Sequence, residues 1–288
     1  MSNFNVMLFQ PNEVIHAHAF MDIGKLLFYT LSSMGHHCLL QINSVESNYI
    51  NIILGYHYLI AEEEQLFHSH PFMNRLMSSR KIYYQLEQLS DHEGWYSKER
   101  HHILASADAV WDYTEENASF LREKGIQNVF TVPIGWHEKM ETLPHAQCKD
   151  IDVLFYGCIN PRRQHILAEL NRYCRLKVLF GMYGHERDFY IARSKVILNI
   201  HFYEAAILEQ VRISYLLNNQ CFVLSEASPN NVLDGIIETA PYEDLVSRCL
   251  YFVQHAEARE AARNRGYLAF RQNDMRDFIR PALIPWEG

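Results

Sequence analysis

Short apolar runs alternate with longer amphipathic segments along most of the chain. Short runs rich in β-branched and aromatic residues are typical of buried strands, whereas apolar residues spaced three and four apart are typical of helices. Leu26, Leu27, Leu31 and Met34, for example, would form one apolar stripe on a helix. This regular alternation of strands and helices predicts parallel sheets covered by helices.

The pattern places elements in both halves of the chain. The strands predicted in the first half are Phe4–Gln10, Ile50–Gly55, Lys81–Leu86, Ala109–Tyr113 and Asn128–Val132. Those predicted in the second half are Asp152–Tyr156, Leu176–Phe180, Val196–Ile200, Cys221–Leu224 and Gly235–Glu238. The predicted helices are Phe20–Met34, Trp95–Ala105, Glu115–Lys124, Arg162–Tyr173, His185–Arg193 and Ala206–Asn218, with two or three more between residues 242 and 280.

A polar, turn-rich segment from Gly135 to Lys149 separates the two halves. We therefore expect an N-terminal domain over residues 1–140 and a C-terminal domain over residues 141–270. A single large α/β domain is the alternative for a chain of 288 residues. Two consecutive α/β halves would face a cleft, and such clefts usually hold the ligand.

Composition narrows the class of partner. Hydrophobic residues make up 48% and charged residues 21% of the chain, as in an ordinary globular protein. The net charge is −8, with 26 basic and 34 acidic residues. Nucleic-acid affinity depends on neutralising phosphates, so we expect no nucleic-acid partner.

The cysteines and the amino terminus indicate where the protein works. The cysteines are scattered without a Cys-x-x-Cys pair, which is typical of reduced, buried thiols in a cytoplasmic protein. The start of the chain lacks a signal-peptide pattern, and no apolar stretch approaches the roughly 20 residues of a membrane span. We expect a cytoplasmic protein and leave peripheral membrane contact open.

Glycine and arginine follow the first strand of the second half. Gly157 would let the backbone approach a diphosphate, and Pro161 would start a helix carrying Arg162 and Arg163. A helix amino terminus with arginines suits a phosphate, and ligands of parallel sheets bind beyond the carboxyl ends of strands. A tight turn with solvated arginines is the alternative, since neither a Walker motif nor a Gly-x-Gly-x-x-Gly pattern is present.

Two further strand ends carry candidate nucleotide-binding residues. Gly181, Tyr183 and Gly184 could pack a base against the tyrosine, or could form an ordinary loop. Glu209, near a predicted helix start, could accept ribose hydroxyls, with Arg212 beside it and His201 in the preceding loop. A carboxylate placed there only by the helix dipole is the alternative. Ser225 and Glu226 end the next strand without an assigned role.

Histidines after the first strand are candidates for a general base. The pKa of free histidine lies near neutrality, so His16 or His18 could take a proton from an acceptor hydroxyl. Glu13 is a weaker candidate. Glu87 and the segment Asp112-Tyr113-Thr114 end other first-half strands, although Thr114 could simply start a helix.

The sequence lacks the motifs of metal sites, serine hydrolases and cysteine nucleophiles. The recurring histidine pairs have no third ligand at a diagnostic spacing, and Asp150-Ile-Asp152 starts a strand instead of ending one, so we expect no metal. No Gly-x-Ser-x-Gly motif or activated cysteine indicates a hydrolase.

The motifs together resemble glycosyltransferases of the GT-B architecture, particularly the family 1/4-like and spore-maturation CgeB-like proteins. The resemblance covers the second half well and the first half loosely. It rests on five segments, which are Val132-Pro-Ile-Gly-Trp136, Val153-Leu-Phe-Tyr-Gly157 with Arg162-Arg163, Ala192-Arg-Ser-Lys-Val-Ile-Leu-Asn199, Leu208-Glu-Gln-Val-Arg-Ile213 and Cys221-Phe-Val-Leu-Ser-Glu226.

The resemblance implies a fold of two Rossmann-like parallel-sheet domains facing a cleft. It implies an acceptor in the N-terminal domain, a nucleotide sugar in the C-terminal domain, and a final helix over residues 271–288 that returns to the first domain. Gly157 with Arg162 or Arg163 would contact the diphosphate, Gly181 to Gly184 the base, and Glu209 the ribose. Many retaining members carry two glutamates separated by seven residues, whereas four residues separate Glu204 and Glu209 here, so Glu204 has no assigned role and the stereochemistry stays open. Members typically need no metal.

We therefore expect a metal-independent hexosyltransferase that moves sugar from a nucleotide-diphosphate donor to a hydroxyl-bearing acceptor, which could be a glycan, lipid, small molecule or protein. Arg163 would stabilise the leaving group, and no cofactor beyond the donor substrate is expected. A nucleotide-sugar epimerase and a catalytically silent binding protein of the same architecture are the alternatives. DNA glycosylation is a variant that the charge of −8 disfavours.

Overall fold

A computed structural model describes residues 1–11, 14–60, 71–89, 96–203, 206–229 and 231–286. The chain divides into two compact units. Unit 1 consists of Met1–His137 and Asp274–Gly288, and unit 2 consists of Glu138–Asn273. The division falls inside the polar segment that separates the two halves of the sequence.

Unit 1 is built on a six-stranded parallel sheet with the order β2-β1-β3-β4-β5-β6. Its strands are β1 (Asn3–Leu8), β2 (His37–Ile42), β3 (Ile50–Leu54), β4 (Lys81–Gln85), β5 (Ala109–Asp112) and β6 (Val129–Thr131). Its helices are α1 (Met21–Ser33), α2 (Pro71–Ser78), α3 (Lys98–Ala105), α4 (Glu115–Glu123) and, from the end of the chain, α10 (Met275–Leu283). Short 3₁₀ turns lie at Ile15–Phe20, Tyr56–Ile60 and Ile284–Trp286.

The central strands of unit 1 are buried along their whole length, which explains why they read as continuous apolar runs. Met7, Ile53, Tyr83 and Val110 come from four strands and share one core with helix residues such as Leu121. Packing in this core fixes the positions of the strands. Residues at the carboxyl ends of the strands are therefore held in defined positions.

Unit 2 is built on a five-stranded parallel sheet with the order β11-β10-β9-β7-β8. Its strands are β7 (Ile151–Tyr156), β8 (Leu176–Leu179), β9 (Ser194–Asn199), β10 (Val223–Glu226) and β11 (Glu238–Ala240). Its helices are α5 (Pro161–Leu170), α6 (Gly184–Ala192), α7 (Gln210–Asn218), α8 (Leu245–Gln254) and α9 (Ala256–Phe270). Short 3₁₀ turns lie at Glu138–Met140 and Tyr242–Asp244.

The predicted fold class, α/β with two Rossmann-like parallel sheets, is confirmed. Four local differences from the prediction need correction. Strand β2 and helix α2 were not predicted, and helix α7 begins at Gln210 instead of Ala206, whose φ of 50° is not helical. The strand expected from Gly235 begins only at Glu238, because Gly235 has a φ of 73° and belongs to a turn.

The end of the chain is anchored in unit 1. Asp274 caps α10 by accepting a hydrogen bond from Arg276 N, and Met275 N donates to Trp136 O at 2.9 Å. Ser2 Oγ donates to the carbonyl of Trp286 at 3.0 Å. The last helix thus packs against the same unit as the first strand. Within the described ranges, none of the helices has the length and apolarity needed to cross a bilayer.

Candidate functional site

Gly157 follows β7 in a conformation that a side chain would not tolerate. Its φ is 134°, in the region that favours glycine. A Cβ added there would lie 2.7 Å from Nη2 of Arg212 and 3.7 Å from Nη1 of Arg163. The glycine therefore lets both guanidinium groups approach the main chain at the end of β7.

Arg163 is fixed in the first turn of α5. Asn160 caps this helix by accepting a hydrogen bond from Arg163 N, and Pro161 occupies a first-turn position. The Arg163 side chain is buried, with Nε and Nη2 donating to the carbonyl of Ile200 and Nη1 donating to that of Cys158. These bonds tie the loops after β7 and β9 together.

The electrostatics of Arg163 are those of a buried cation. Burial and repulsion from Arg212 lower the pKa of Arg163 to about 10, although Glu209 acts in the opposite direction. The guanidinium lies over the rings of Phe155 and Phe202, at 5.3 and 5.1 Å from their centroids. It stays charged at neutral pH and brings positive potential to the carboxyl edge of the sheet.

Glu209 precedes α7 and points into the same cluster. Its Oε2 accepts hydrogen bonds from Asn199 Nδ2 at 2.8 Å and contacts His201 Nδ1 at 2.9 Å. Its Oε1 is buried and, among the described residues, has no hydrogen-bond partner, while Arg163 Nη2 lies 3.6 Å away. Burial would raise the pKa of Glu209, but the bond from His201 and the charge of Arg212 hold it below the ordinary value. The structure thus presents a carboxylate oxygen with an unused lone pair.

His201 links two loops through both ring nitrogens. Its Nδ1 meets Glu209, and its Nε2 lies 3.0 Å from Ser228 Oγ, in the loop after β10. The ring is 1% exposed, so its contacts are with protein groups. His201 therefore orients Glu209 and has little surface of its own to offer a ligand.

Arg212 lies one helical turn after Glu209. Its Nη1 donates to Asn199 Oδ1 at 2.9 Å, and its guanidinium stacks 4.9 Å from the ring centroid of Tyr156. Asn199, the last residue of β9, therefore bonds both Arg212 and Glu209 and sets the spacing between cation and carboxylate.

Arg162 belongs to a neighbouring ion pair. Both of its terminal nitrogens contact the carboxylate of Glu226, and its guanidinium lies 4.1 Å from the ring centroid of Tyr242. The Glu226 partner raises the pKa of Arg162, although burial opposes the shift. Glu226 also accepts the backbone N–H of His201 at 3.0 Å. Arg162 was predicted to contact the diphosphate, but its side chain is already paired with Glu226.

The loop after β8 contributes the remaining residues predicted in unit 2. Gly181 lies in this loop, Tyr183 is the N-cap residue of α6, and Gly184 begins that helix. Burial raises the pKa of Tyr183, while Arg212 and Arg187 act against that shift at a distance. Because β8 pairs with β7, Tyr183 lies beside the loop of Gly157.

The residues predicted in unit 1 follow three other strands. His16 and His18 lie in the 3₁₀ turn after β1, where His18 Nε2 is 3.2 Å from Gln10 Nε2. Thr114 caps α4 by accepting the N–H of Asn117, so the helix-start interpretation of this residue is confirmed. The side chain of Tyr113 is buried. Glu13 and Glu204 lie outside the described residues.

Sequence reasoning missed some residues of the unit 2 cluster. Asn199 was named at the start of a polar loop and within a motif but was given no role of its own, and Ser228 was not considered. Asn199 is a polar residue at the end of a buried apolar strand, and this position could have marked it as a candidate site residue. Nothing in the sequence near Ser228 indicates that His201, far away along the chain, reaches it.

The described residues form no metal site, and the cysteines differ in burial. Across the described part of the chain, no group of three or more His, Cys, Asp or Glu side chains could hold a metal ion. The six cysteines are unpaired, but only Cys221 and Cys249 are buried. The prediction of buried thiols is thus wrong for Cys148 and Cys158, which lie in exposed loops between strands.

Sequence comparison finds relatives of undefined role. No family model matches the chain. Protein R358 of Acanthamoeba polyphaga mimivirus is 27% identical over 154 residues, which cover 53% of this chain and 51% of that protein. Protein L140 of the same virus is 28% identical over 158 residues, 51% of each chain, and protein L138 is 29% identical over 116 residues, 38% of this chain and 13% of that protein. The chain thus spans about half or less of the relatives' length, and each is described as uncharacterized.

Structural comparison identifies the fold. HepE of Anabaena, solved with UDP-glucose, has a TM-score of 0.62 at 10% identity, covering 98% of this chain and 99% of that one. An α1,3-fucosyltransferase solved with GDP-fucose has a TM-score of 0.54 at 11% identity and covers 100% and 90%. TarM has a TM-score of 0.57 at 11% identity and covers 95% and 58%. These structures are GT-B glycosyltransferases, so the GT-B fold expected for this chain is confirmed.

Proposed function

We propose that the protein transfers a sugar from a nucleoside-diphosphate sugar to a hydroxyl-bearing acceptor. The fold supports a transferase, since neighbours of the same architecture were solved with UDP-glucose and GDP-fucose. The observation that carries the proposal is the juxtaposition of Gly157, Arg163, Arg212 and the unsatisfied Oε1 of Glu209 at the carboxyl edge of unit 2. Its free cysteines favour action in the cytoplasm.

Each group in the cluster has a role suited to its chemistry. The main chain at Gly157 and the guanidinium of Arg212 bind the diphosphate. Arg163, whose side chain is buried near Gly157, adds positive charge. Glu209 Oε1 accepts a hydrogen bond from a ribose hydroxyl, which supplies the missing donor. Tyr183, with Gly181 and Gly184, lies beside this cluster and contacts the base.

The arginines act when the bond to the donor phosphate breaks. Negative charge then grows on the departing diphosphate, and cations held in place in advance stabilise it without further reorganisation. Arg212 bonds Asn199 and Arg163 bonds Ile200, so neither has to move far to do this. Arg162 supports the loop through Glu226, and His201 orients Glu209.

Calorimetric titration with UDP, GDP, CDP and dTDP tests the proposal. We expect one nucleotide to bind, and Glu209→Ala to weaken its binding. Glu123→Ala, which removes an exposed carboxylate at the end of α4, is the matched control and keeps wild-type affinity. A wild-type protein that binds none of the four nucleotides contradicts the proposal.

Product analysis then separates transfer from its rivals. A transferase releases free nucleotide in proportion to the glycosylated acceptor. An epimerase changes the donor sugar with no acceptor present, and a silent binding protein leaves the donor intact. A panel of nucleotide sugars in a thermal-shift assay finds the donor first, because a ligand that binds only the native state raises Tm.

A further inference from the structure

The amino ends of the unit 2 strands carry exposed aromatic and basic side chains that the candidate site does not use. Tyr173, in the turn between α5 and β8, is 59% exposed, and Phe189, on the helix that follows β8, is 56% exposed. Strand β8 is an edge strand of its sheet. A single exposed ring is common on protein surfaces, whereas a group of them marks an interaction surface.

The local structure holds both rings at the surface. The backbone N–H of Tyr173 donates to the carbonyl of the buried Leu170 at 3.0 Å, which closes the turn. Helix α6 buries Ile191 and Ala192, and Phe189 lies on its exposed side. The packing of unit 2 therefore fixes where these rings lie without burying either of them.

Basic side chains lie over the aromatic rings at this corner of the sheet. Lys177 Nζ, from β8, is 4.8 Å from the ring centroid of Tyr190, whose ring is 5.3 Å from that of Phe189. Arg193 lies over Phe189 at 4.7 Å, and Arg172 lies over Tyr173 at 5.7 Å. We call this surface the β8 corner, defined by Arg172, Tyr173, Lys177, Phe189, Tyr190 and Arg193.

Two of the three cations of the β8 corner have no carboxylate partner. Arg193 pairs with Asp150, but among the described residues neither Arg172 nor Lys177 forms an ion pair. Their positive charge is therefore available to an anionic partner.

The charged residues beside the corner change this balance little. Arg175 and Lys195 both bind Asp152, and Glu186 lies one helical turn before Phe189. Counted with the corner and Asp150, they give five cations and three carboxylates, a net charge of +2. The whole chain carries −8, so the corner is a local positive surface on an acidic protein.

We propose that the β8 corner docks unit 2 on a membrane surface that contains anionic lipids. Tyr173 and Phe189 enter the boundary between headgroups and acyl chains, where aromatic rings are favoured. Arg172 and Lys177 contact lipid phosphates, which attract basic residues to such surfaces. The inference is independent of the proposed sugar transfer, because it uses none of the residues assigned to the nucleotide.

The arrangement favours lipid over a nucleic acid. One face of each ring is covered by a cation of the same corner, so a base would have to displace that cation to stack there. Nucleic-acid binding also depends on neutralising many phosphates along a strand, whereas Arg172 and Lys177 are two cations at one corner. A lipid surface needs only that the rings and the charges face the same way.

Co-sedimentation of the full chain with lipid vesicles tests the proposal. We expect binding to phosphatidylcholine vesicles that contain phosphatidylserine, weakening with added salt, and none to vesicles of phosphatidylcholine alone. Arg172→Gln and Lys177→Gln should each lower the partition coefficient about fivefold. Tyr173→Ser combined with Phe189→Ser should lower it about tenfold.

Two controls match these changes outside the corner. Arg280→Gln removes an exposed cation from α10, and Leu268→Ser removes a side chain of α9 that is 58% exposed. Both should bind vesicles as the wild type does. All the substituted residues are partly or fully exposed, so we expect the Tm of every variant to stay at the wild-type value.

Brominated lipids give a second readout that needs no loss of binding. Phe189→Trp places an indole at the corner, and brominated acyl chains should quench its fluorescence beyond the quenching of the wild type. Absence of this extra quenching overturns the proposal, as does a wild type that binds neither kind of vesicle or both equally. Full binding by the Arg172→Gln and Lys177→Gln variants also overturns it. Tighter binding to single-stranded RNA, lost in the same variants, would assign the corner to a nucleic acid instead.

Discussion

The imidazole of His201 lies 2.9 Å from one oxygen of Glu209, and the other oxygen has no hydrogen-bond partner in the part of the chain that the structure describes. The ring is itself held by Ser228 Oγ, at 3.0 Å from Nε2. A carboxylate fixed through one oxygen loses little freedom when a ligand binds the other, and this lowers the entropic cost of binding. Ser228 and His201 thus fix the position of Glu209, whose other oxygen is the proposed ribose contact.

His201→Phe should weaken nucleotide binding about tenfold, which corresponds to ~1.4 kcal/mol. The phenyl ring keeps the shape of the side chain but removes the bond that lowers the pKa of Glu209 and fixes its rotamer. Calorimetry measures the change in Kd. His201→Asn, whose amide can restore a donor near Nδ1, should recover part of the affinity. Equal affinity for the Phe variant and the wild type would show that Glu209 needs no support.

Gly157→Ala should cost more stability than Gly181→Ala. Both glycines have positive φ, but a Cβ at 157 meets Arg212 at 2.7 Å whereas one at 181 meets nothing within 4 Å. Strain at a positive φ costs about 1–3 kcal/mol, and the displacement of Arg212 adds to it only at 157. Urea unfolding of the two variants measures the difference. Equal losses of unfolding free energy in the two variants would mean that the Arg212 guanidinium moves away from residue 157 at no cost.

The sequence was sufficient for the central strands of both sheets but not for strand β2 at an edge or for the start of helix α7. Central strands such as β3 and β9 are buried on both faces, so their apolar runs stand out from their surroundings. Strand β2 is only partly buried at the sheet edge and begins with His37, so the same signal is weak there. Helix α7 was placed too early because Ala206 and Leu208 fit a helical pattern while the backbone at 206 does not.

The candidate site was predictable only as a set of strand ends. Gly157, Arg163, Glu209 and Arg212 were expected at one edge of the sheet, and the structure brings these residues together. Which cation faces the main chain and which is tied to a carbonyl depends on rotamers, and sequence spacing does not determine them. The division between Arg212 and Arg163 is an example of such a choice.

Asp152→Asn should lower the unfolding free energy by about 1–2 kcal/mol at pH 7. Burial alone would raise the pKa of Asp152, but bonds from Arg175 and Lys195 outweigh it and lower the pKa strongly. A depressed carboxyl pKa contributes stability above the unfolded value of about 3.9 and loses it as the pH falls. The two proteins should therefore converge at acidic pH. Urea unfolding at several pH values measures this, and a constant difference would contradict the ionic origin.

Glu87→Gln should make the protein more stable at high pH, by about 1–3 kcal/mol. Burial raises the folded pKa of Glu87 to about 7, whereas an unfolded glutamate has a pKa of about 4.3. Between these values the unfolded state has lost a proton that the folded state keeps. The unfolding free energy of the wild type therefore falls as the pH rises through this window and levels off above about 7.

The neutral amide avoids this loss, because glutamine has the size of the protonated side chain and never ionises. Chemical denaturation between about pH 4 and 8 spans the window of the two pKa values, and Glu123→Gln should stay within about 0.5 kcal/mol of the wild type throughout. Greater stability of Glu87→Gln above pH 7 would show that ionising this carboxylate destabilises the fold. A variant that is less stable than the wild type above pH 7 would instead show that partners stabilise the ionised carboxylate and that its pKa is not raised.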